Sequence, residues 1–385
     1  MKIVFVSNSF HHHQKGVADA LYAYTKGSYC FITTEKMSEE RKRMGFNNVY
    51  PPYVVDASDK KPENLRDIQK IIDEAEVVVL GSAPFELLRN RLKEGKITFR
   101  YSEHLWKQYR HYLKIPFYIF QNKITEGCRL LCSSAYASHD YNAMGAFKDK
   151  CYKWGYFTEV PSELSRTQHT ENSPIRIMWC SRYLDWKHPE LPIYLAKKLK
   201  ESSFRFKINM YGSGRYYRQS VNLVNSLNLD DVIDFKGNVP NQAIHDAMRN
   251  SDIFLLTSDR GEGWGAVANE AMSNGCVLVA SNDIGSVPYL VRDKKNGCIF
   301  KGSSRMKGFC PLGISVDNKS LTSLYNVVKW LIENPAERKK ISLNAFHTMR
   351  TTWNPEVAAK NLLTLIDDIQ QGRETSIDEG PCSKA

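Results

Sequence analysis

The stretch from Ser251 to Phe300 most constrains how this chain can fold. Residues 252–258 are a short apolar run typical of a buried strand, and residues 259–265 form a glycine-rich loop. Residues 266–274 then predict a helix, and residues 276–280 predict the next strand. A strand, a loop, a helix and a second strand in this order indicate a parallel sheet covered by helices, which is the α/β class.

The loop of this unit combines features of a phosphate site with two acidic residues. In open parallel sheets, ligands bind beyond the carboxyl ends of the strands, where this loop emerges. Its glycines allow the backbone to approach a ligand closely, and the free N–H groups near Ala266 favour an anion. Glu262 and Glu270 would repel a phosphate unless they bind other groups, and carboxylates accept strong hydrogen bonds from sugar hydroxyls.

The two glutamates are separated by seven residues, with Gly-Trp-Gly after the first and Ala-Met-Ser-Asn-Gly after the second. This pattern resembles the donor-binding signature of retaining nucleotide-sugar glycosyltransferases of the GT-B fold, the group 1 glycosyl transferases. The resemblance implies that Glu262 contacts the transferred sugar and Glu270 the ribose. The alternative is a solvated loop acid and a surface helix acid. The resemblance also implies further donor contacts around the first glutamate, at Gly263, Trp264, Gly265 and Ala266.

Other matches to this family lie earlier in the second half of the chain. A predicted strand at residues 175–180 is followed by Arg182 and, five residues on, Lys187, which the resemblance assigns to the donor diphosphate. Fixed cations there stabilise the charge that develops as a nucleoside diphosphate leaves. The resemblance also implies nucleotide contacts at the ends of the next two strands, at Gly212, Asn238 and Val239.

The N-terminal part alternates predicted strands and helices, as expected for a doubly wound sheet. After its first strand, residues 8–16 form a predicted loop that contains three histidines. The resemblance makes His12 and His13 acceptor-binding candidates, and the alternative is that they pack within the loop. A metal site is disfavoured because neighbouring side chains in one short loop rarely converge on one ion. His104, after a mid-domain strand, is by resemblance a catalytic candidate beside the donor sugar, although a lone histidine is more often structural.

These patterns predict a GT-B architecture of two Rossmann-like domains that face each other across a cleft. The predicted boundaries are an acceptor-binding domain at residues 1–160, a polar linker at 161–174 and a nucleotide-sugar-binding domain at 175–351. A C-terminal helix at 354–370 would complete the first domain. Residues 371–385 are predicted to be a frayed tail.

Charge and composition narrow the range of partners. The net charge of +11 calls for an acidic partner, and nucleotide substrates or an anionic membrane satisfy this requirement, whereas no nucleic-acid-binding signature is present. A basic, aromatic segment at residues 103–114 could contact lipid, but the favoured interpretation is a helix packed on its own sheet with a solvated basic face. The expected location is cytoplasmic, with attachment to the inner face of the plasma membrane as an extension of that prediction. The nine dispersed cysteines predict reduced thiols.

The chain contains no Asp-x-Asp pair, so neither a metal nor another cofactor is expected, and Arg182, Lys187 and backbone N–H groups would bind the diphosphate. The predicted function is a retaining, metal-independent hexosyltransferase of bacterial capsule or lipopolysaccharide synthesis. It would move a sugar from a nucleotide-sugar donor to a saccharide or lipid-linked acceptor. Two alternatives stay open: a sugar-nucleotide epimerase of the same fold, and a catalytically silent partner subunit. A dinucleotide oxidoreductase is disfavoured because no Gly-x-Gly-x-x-Gly follows the first strand.

Overall fold

The chain divides into two compact units in a computed structural model. Its description covers residues 1–36, 50–59, 62–105, 116, 127–166, 173–302, 309–310, 313–314 and 316–385. The first unit comprises Met1–Glu159 and Thr352–Ala385, and the second comprises Val160–Thr351. Most of the basic segment predicted to be a helix at residues 103–114 lies outside the described residues. Among the described helices, none has both the length and the apolar character that a membrane crossing requires.

The first unit is built around a parallel sheet with strand order β3-β2-β1-β4-β5-β6-β7. Its core combines the apolar side chains of the central strands with those of the helices. The strands are β1 (Ile3–Ser7), β2 (Tyr29–Thr33), β3 (Val54–Asp56), β4 (Val77–Leu80), β5 (Thr98–Ser102), β6 (Cys128–Cys132) and β7 (Cys151–Lys153). The helices are α1 (His12–Tyr24), α2 (Pro62–Glu74), α3 (Arg89–Lys93), which follows a 3-10 turn at Phe85–Leu88, and α4 (Ala137–Asn142).

The second unit is built around another parallel sheet, with strand order β10-β9-β8-β11-β12-β13. Its strands are β8 (Ile175–Cys180), β9 (Phe206–Tyr211), β10 (Ile233–Gly237), β11 (Ile253–Leu256), β12 (Val277–Ser281) and β13 (Cys298–Phe300), and a short antiparallel pair follows, β14 (Phe309–Cys310) and β15 (Gly313–Ile314). Its helices are α5 (Glu190–Glu201), α6 (Tyr217–Ser226), α7 (Asn241–Arg249), α8 (Val267–Ser273), α9 (Val287–Leu290), α10 (Asn318–Glu333) and α11 (Pro335–Thr351). A last helix, α12 (Pro355–Gln370), belongs to the first unit.

The strand order places a topological switch point in each sheet. In the second unit, β8 pairs with β9 on one side and with β11 on the other, so the chain reverses its direction of growth between β8 and β11. Ligands of doubly wound sheets bind in the crevice at this point, beyond the carboxyl ends of the strands. The loops that follow β8 and β11 therefore form the expected ligand-binding edge of this unit.

The N-terminal part of the predicted linker is packed against the second unit. The Arg166 guanidinium donates hydrogen bonds to the backbone oxygens of Gly275 (2.5 Å) and Ser251 (2.5 Å) and to the Ser342 hydroxyl (2.9 Å). These bonds place residues 160–166 within the folded unit, and residues 167–172 of the predicted linker lie outside the described residues.

The structure differs from the frayed tail predicted for residues 371–385. The backbone N–H of Lys153 donates to Ser383, and the N–H of Cys382 donates back to Lys153, at 2.8 and 2.7 Å. Tyr152 and Lys384 form an antiparallel bridge, and the Cys382 side chain is fully buried. The tail is ordered because its backbone groups pair with the edge strand β7, a long-range contact that the polar sequence of the tail does not reveal.

Each of the eight cysteines whose side chains are described is a free thiol. Two short strands, β3 and β7, were not predicted, because three residues carry too little periodicity to identify a strand.

Candidate active site

The loop after β8 carries both predicted diphosphate ligands. Arg182 is exposed, and its guanidinium makes no hydrogen bond or ion pair with any residue that the structure describes. A short 3-10 turn, Asp185–Lys187, follows and ends at His188, which adopts a left-handed conformation with φ of 51°. This turn directs Lys187 back toward the sheet edge, where only 12% of its side chain is exposed.

The loop after β11 turns tightly around Asp259. One Asp259 carboxylate oxygen accepts a hydrogen bond from the Gly261 N–H at 2.7 Å, and the Glu262 N–H donates to the Asp259 backbone oxygen at 3.0 Å. A Cβ atom at Gly261 would lie 2.9 Å from the side chain of Trp186, so only glycine fits against the neighbouring loop. This packing fixes the position of Glu262.

The two loops meet at the switch point and join Lys187 to Glu262. The Lys187 ammonium forms an ion pair with the Glu262 carboxylate, which also accepts a hydrogen bond from the Ser258 hydroxyl at 3.1 Å. Two further bonds support the contact: the Asp259 N–H donates to the Trp186 backbone oxygen at 3.0 Å, and the Thr257 hydroxyl donates to the Lys187 backbone oxygen at 2.7 Å. The structure therefore brings one predicted cation and one predicted acid into direct contact.

A histidine that the sequence analysis did not single out links the same two loops. The His188 side chain is 1% exposed, and its Nδ1 lies 2.7 Å from a Glu190 carboxylate oxygen while its Nε2 lies 3.2 Å from an Asp259 oxygen. Burial acts to lower the pKa of His188, but the hydrogen bonds and charges of Asp259 and Glu190 outweigh it and raise the pKa to about 9. The sequence signal that would have identified it is a histidine beside Lys187, in a loop that follows a buried strand.

Glu270 lies in α8 and is largely buried. Burial raises the pKa of its carboxyl to about 7, because a desolvated carboxylate is costly. Within the described part of the second unit, its carboxylate accepts no hydrogen bond. Burial, and next the Glu270 charge, raise the pKa of Cys180 to about 12, whereas the Lys187 charge opposes the shift. Glu270 and Lys187 thus both lie within electrostatic range of the end of β8.

The residues after Glu262 help to shape the start of α8, and their predicted donor contacts stay predictions. The Trp264 side chain is fully buried, and its indole N–H donates to the Asn269 side chain at 2.8 Å. The indole ring therefore belongs to the core of the unit, and only the Trp264 backbone is left to contact a donor. Gly265 has a φ of +78°, which favours glycine at the start of α8. Gly263 is buried, and Ala266 is half-buried.

Gly212, at the end of β9, allows three loops to pack closely. Its φ is +113°, and a Cβ atom there would lie 2.0 Å from the backbone oxygen of Ser181. Its N–H donates to the backbone oxygen of Gly237 at 2.8 Å. At the end of β10, the exposed Asn238 donates to the Ser213 hydroxyl at 2.8 Å, and Val239 is half-buried. Gly212 thus supports the loop that carries Arg182, and its predicted contact with the nucleotide stays a prediction.

The acceptor candidates belong to the first turn of α1, not to a loop. This helix begins at His12, within the loop predicted at residues 8–16, because the His11 N–H donates to the Gln14 side chain at 3.0 Å and closes the first turn. The His13 ring stacks on Tyr156, with centroids 5.9 Å apart. Burial, followed by the charges of His12 and His11, lowers the pKa of His13 to about 3, so His13 is neutral at physiological pH.

His104 is buried, with 2% of its surface exposed. Its Nδ1 lies 2.8 Å from the Ser134 hydroxyl, and its ring packs edge-on against Tyr136. These contacts account for a structural role at the end of β5. A catalytic role for His104 stays a prediction.

Comparison with known proteins finds a family model that matches part of the second unit. Residues 162–309 match the family model described as Glycosyl transferases group 1. This segment is similar to the group 1 glycosyl transferases. It contains every site residue predicted in the second unit, including the paired Lys187 and Glu262.

Curated proteins similar to part of this chain include two named WcaL, each named as a colanic acid biosynthesis glycosyltransferase. The Escherichia coli (strain K12) protein is 28% identical over 130 residues, which is 32% of this chain and 32% of that protein. The Salmonella typhimurium protein is 27% identical over 137 residues, 34% of each. The match spans about a third of the length of these relatives.

Solved structures similar to the whole chain show the fold. Anabaena HepE in complex with UDP has a TM-score of 0.71 at 13% identity, over 96% of this chain and 100% of HepE. A glycosyltransferase from Rickettsia africae ESF-5 has a TM-score of 0.68 at 16% identity, over 96% and 98%. The lipopolysaccharide outer core galactosyltransferase WaaB has a TM-score of 0.60 at 14% identity, over 91% and 99%. Together with the two parallel sheets, these matches confirm the predicted two-domain GT-B fold.

Proposed function

We propose that the protein is a retaining glycosyltransferase that moves a sugar from a nucleotide-diphosphate sugar to a saccharide or lipid-linked saccharide acceptor. The match to the group 1 glycosyl transferases supports the reaction class. The names of the WcaL relatives and of WaaB support a role in bacterial surface polysaccharide synthesis. The complex of HepE with UDP supports a nucleotide-sugar donor.

The observation that carries this proposal is the ion pair between Lys187 and Glu262 at the switch point of the second sheet. A partly buried cation and a partly buried acid at this edge match the two halves of a nucleotide-sugar donor. Lys187 and the exposed Arg182 bind the diphosphate, and Glu262 accepts hydrogen bonds from the hydroxyls of the sugar. The donor therefore replaces the ion pair with one favourable contact for each partner.

Glu270 is proposed to bind the ribose hydroxyls. The carboxylate binds them best when it is ionised, because a charged acceptor makes the stronger hydrogen bond. Because burial raises the pKa of Glu270 to about 7, the free acid is partly protonated at neutral pH. Bound ribose hydroxyls would favour the ionised form and compensate for the lost hydration.

The proposed reaction retains the anomeric configuration. The bond between the anomeric carbon and the diphosphate oxygen breaks, and a bond from the acceptor oxygen forms on the same face of the sugar. The acceptor proton passes to the departing phosphate oxygen. Lys187 and Arg182 stabilise the charge on the leaving diphosphate, which is the part that a metal plays in other transferases, and a metal-independent reaction is proposed on this basis.

The acceptor is proposed to bind through His12 and His13, at the carboxyl end of β1 in the first unit. Because the pKa of His13 is about 3, His13 would act as a neutral hydrogen-bonding group and not as a cation. Binding of the protein to an anionic membrane surface is proposed only on the net charge of +11.

The first experiment measures binding and turnover with UDP-, GDP- and dTDP-sugars. A bound donor raises the apparent melting temperature by mass action, so a panel of nucleotide sugars identifies the nucleotide and the sugar. Product release is then followed with and without a saccharide acceptor. Turnover that needs no acceptor would indicate an epimerase, and no binding to any nucleotide sugar would contradict the proposal.

The second experiment tests the assigned site with Glu262→Gln. Loss of the contact with the sugar should reduce transfer by about 100-fold or more. Binding of the free nucleoside diphosphate should persist or improve, because Lys187 loses its competing partner. Asp230→Asn, which changes an exposed acid elsewhere in the second unit, is the control and should transfer normally. Unchanged turnover in Glu262→Gln would reject the assigned role.

A further inference from the structure

The buried His188 bridges two elements that the chain brings together only through folding. It lies in the loop after β8, and its Nδ1 contacts Glu190 at the start of α5, at 2.7 Å. Its Nε2 contacts Asp259, in the loop after β11, at 3.2 Å. We call these three residues, Glu190, His188 and Asp259, the histidine bridge.

Both neighbours of His188 are carboxylates, and a neutral imidazole carries only one N–H. Donation to both acids requires the imidazolium form. The remaining oxygen of Asp259 accepts the Gly261 N–H at 2.7 Å, so Asp259 transmits the position of His188 to the turn that precedes Glu262. On the other side, His188 directly follows Lys187. The histidine bridge is thus linked to Lys187 through one peptide bond. It is linked to Glu262 through Asp259 and the adjacent Gly261.

We propose that His188 is a positioning residue, which as an imidazolium holds the loops after β8 and β11 together so that Lys187 and Glu262 are placed for the donor. The inference rests on the proposed function, because it assigns His188 a part in the binding of a nucleotide-diphosphate sugar. His188 is buried and acts through Lys187 and Glu262 without touching the donor itself.

The charges around the histidine bridge agree with an imidazolium. The charged groups that interact with His188 are Glu190 from α5, Asp259 from the loop after β11 and Asp283 from the loop after β12, and Arg260 acts on Asp283. Burial lowers the pKa of His188, but its hydrogen bonds and acidic neighbours raise it to about 9. Because the folded pKa lies above the ordinary value of 6.5, the bridge contributes fully below pH 6.5 and is lost as the pH rises through about 9.

Two substitutions of His188 separate the two contacts of the ring. In His188→Asn, the amide reaches the Nδ1 position and keeps the contact with Glu190, but it no longer reaches Asp259. In His188→Gln, the amide reaches the Nε2 position and keeps the contact with Asp259. Asparagine also tolerates the left-handed backbone at this position, where φ is 51°.

The measurement is kcat/KM for the donor found in the panel. The kcat/KM of His188→Asn should be about 100-fold below that of the wild type, because small displacements of binding groups can cost that much. The kcat/KM of His188→Gln should stay close to the wild-type value. The wild-type kcat/KM should fall as the pH rises through about 9, and in His188→Gln this fall should move to higher pH. Equal losses in the two variants, or no loss in His188→Asn, would overturn the proposal.

Asp259→Asn and Asp283→Asn provide a matched comparison if His188→Asn does not fold. Both remove one acid beside the histidine, but only Asp259 bonds to the ring in the described structure. Asp259→Asn should reduce kcat/KM at least tenfold more than Asp283→Asn, because a loss of alignment costs far more than a change in the local charge. Equal effects would overturn the proposal.

Nitrogen-15 NMR of labelled histidine distinguishes failure of this inference from failure of the proposed function. The His188 resonances should show both nitrogens protonated at pH 7 in the wild type, whether or not a donor is known. A neutral ring would overturn the inference alone. A protonated ring in a protein that binds no nucleotide sugar would overturn the proposed function, and with it the role of His188 in donor binding.

Discussion

At the scale of single residues, the acids of the second unit are held in contrasting environments. Among the described residues, Glu262 contacts the Lys187 ammonium and the Ser258 hydroxyl. Glu270 is buried, and its pKa of about 7 reports the cost of its desolvation. One acid is therefore stabilised in the free protein, and the other stores unfavourable energy that a ligand could release.

Glu270 makes the stability of the ligand-free protein depend on pH. Its pKa rises from 4.5 to about 7 on folding, so the folded state binds the proton more tightly. Stability should therefore fall as the pH rises from 4.5 to 7, by up to ~3 kcal/mol from this group. Thermal unfolding of Glu270→Gln should show a shallower decline over that range. An identical pH profile for the wild type and the variant would contradict the buried, ionisable carboxyl.

Some of the site residues could be predicted from the sequence, and others could not. The resemblance to a known family assigned Lys187 and Glu262 to one donor site, and the structure brings these two residues into contact. The role of His188 was not predictable, because its contact with Asp259 depends on the pairing of β8 with β11, in which Ile253 lies opposite Ile177. The burial of the Trp264 ring likewise depends on packing that a Gly-Trp-Gly motif does not encode.

At the scale of elements, the loops at the carboxyl edge of the second sheet depend on close backbone packing. Gly212 has a φ of +113° and almost no space for a Cβ atom beside Ser181. Gly237, at the end of the next strand, has a φ of +64°, but a Cβ atom there would meet nothing within 4 Å. These two glycines separate the effect of a clash from the effect of backbone strain.

We expect Gly212→Ala to destabilise the protein by about 3 kcal/mol or more, since strain and a backbone clash add. Gly237→Ala should cost only about 1 to 2 kcal/mol, because it introduces strain alone. Denaturant unfolding of both variants measures the difference. Similar losses in the two variants would show that the loop after β8 moves away and that the close contact with Ser181 is not needed.

Elements were predicted well where the periodicity was long and poorly where it was short. The strand predicted at residues 175–180 coincides with β8, and the helix predicted at residues 354–370 matches α12 to within one residue. The strands β3 and β7 were not predicted. The start of α1 was predicted too far along the chain, because Gln14, and not a typical capping residue, closes its first turn. Contacts between distant or neighbouring side chains, and not the local periodicity, determine these elements.

At the scale of the whole molecule, the chain consists of two units, each with its own sheet and core. The sequence predicted two Rossmann-like domains and the return of the last helix to the first one. It could not predict that residues 160–166 belong to the second unit, because the bonds of Arg166 join it to segments far along the chain.

Two fragments test the independence of the second unit. Residues 160–351 should fold cooperatively and be stabilised by the nucleoside diphosphate of the donor, because they contain a complete core and the Lys187 loop. Residues 175–351 lack Arg166 and should be less stable by ~2–4 kcal/mol, since about three hydrogen bonds and their packing are lost. Calorimetry of the two fragments compares them, and equal melting temperatures would show that Arg166 contributes nothing.

The pairing of the C-terminal residues with β7 has a practical consequence for work on this protein. The Ala385 N–H donates to the Cys151 backbone oxygen at 3.1 Å, so any sequence fused after Ala385 begins at the edge of a folded sheet. A rigid fusion partner or a short purification tag at this end would pull on that edge strand. A flexible spacer of polar residues would avoid this disturbance, and it would also spare Cys382 from exposure to oxidants during purification.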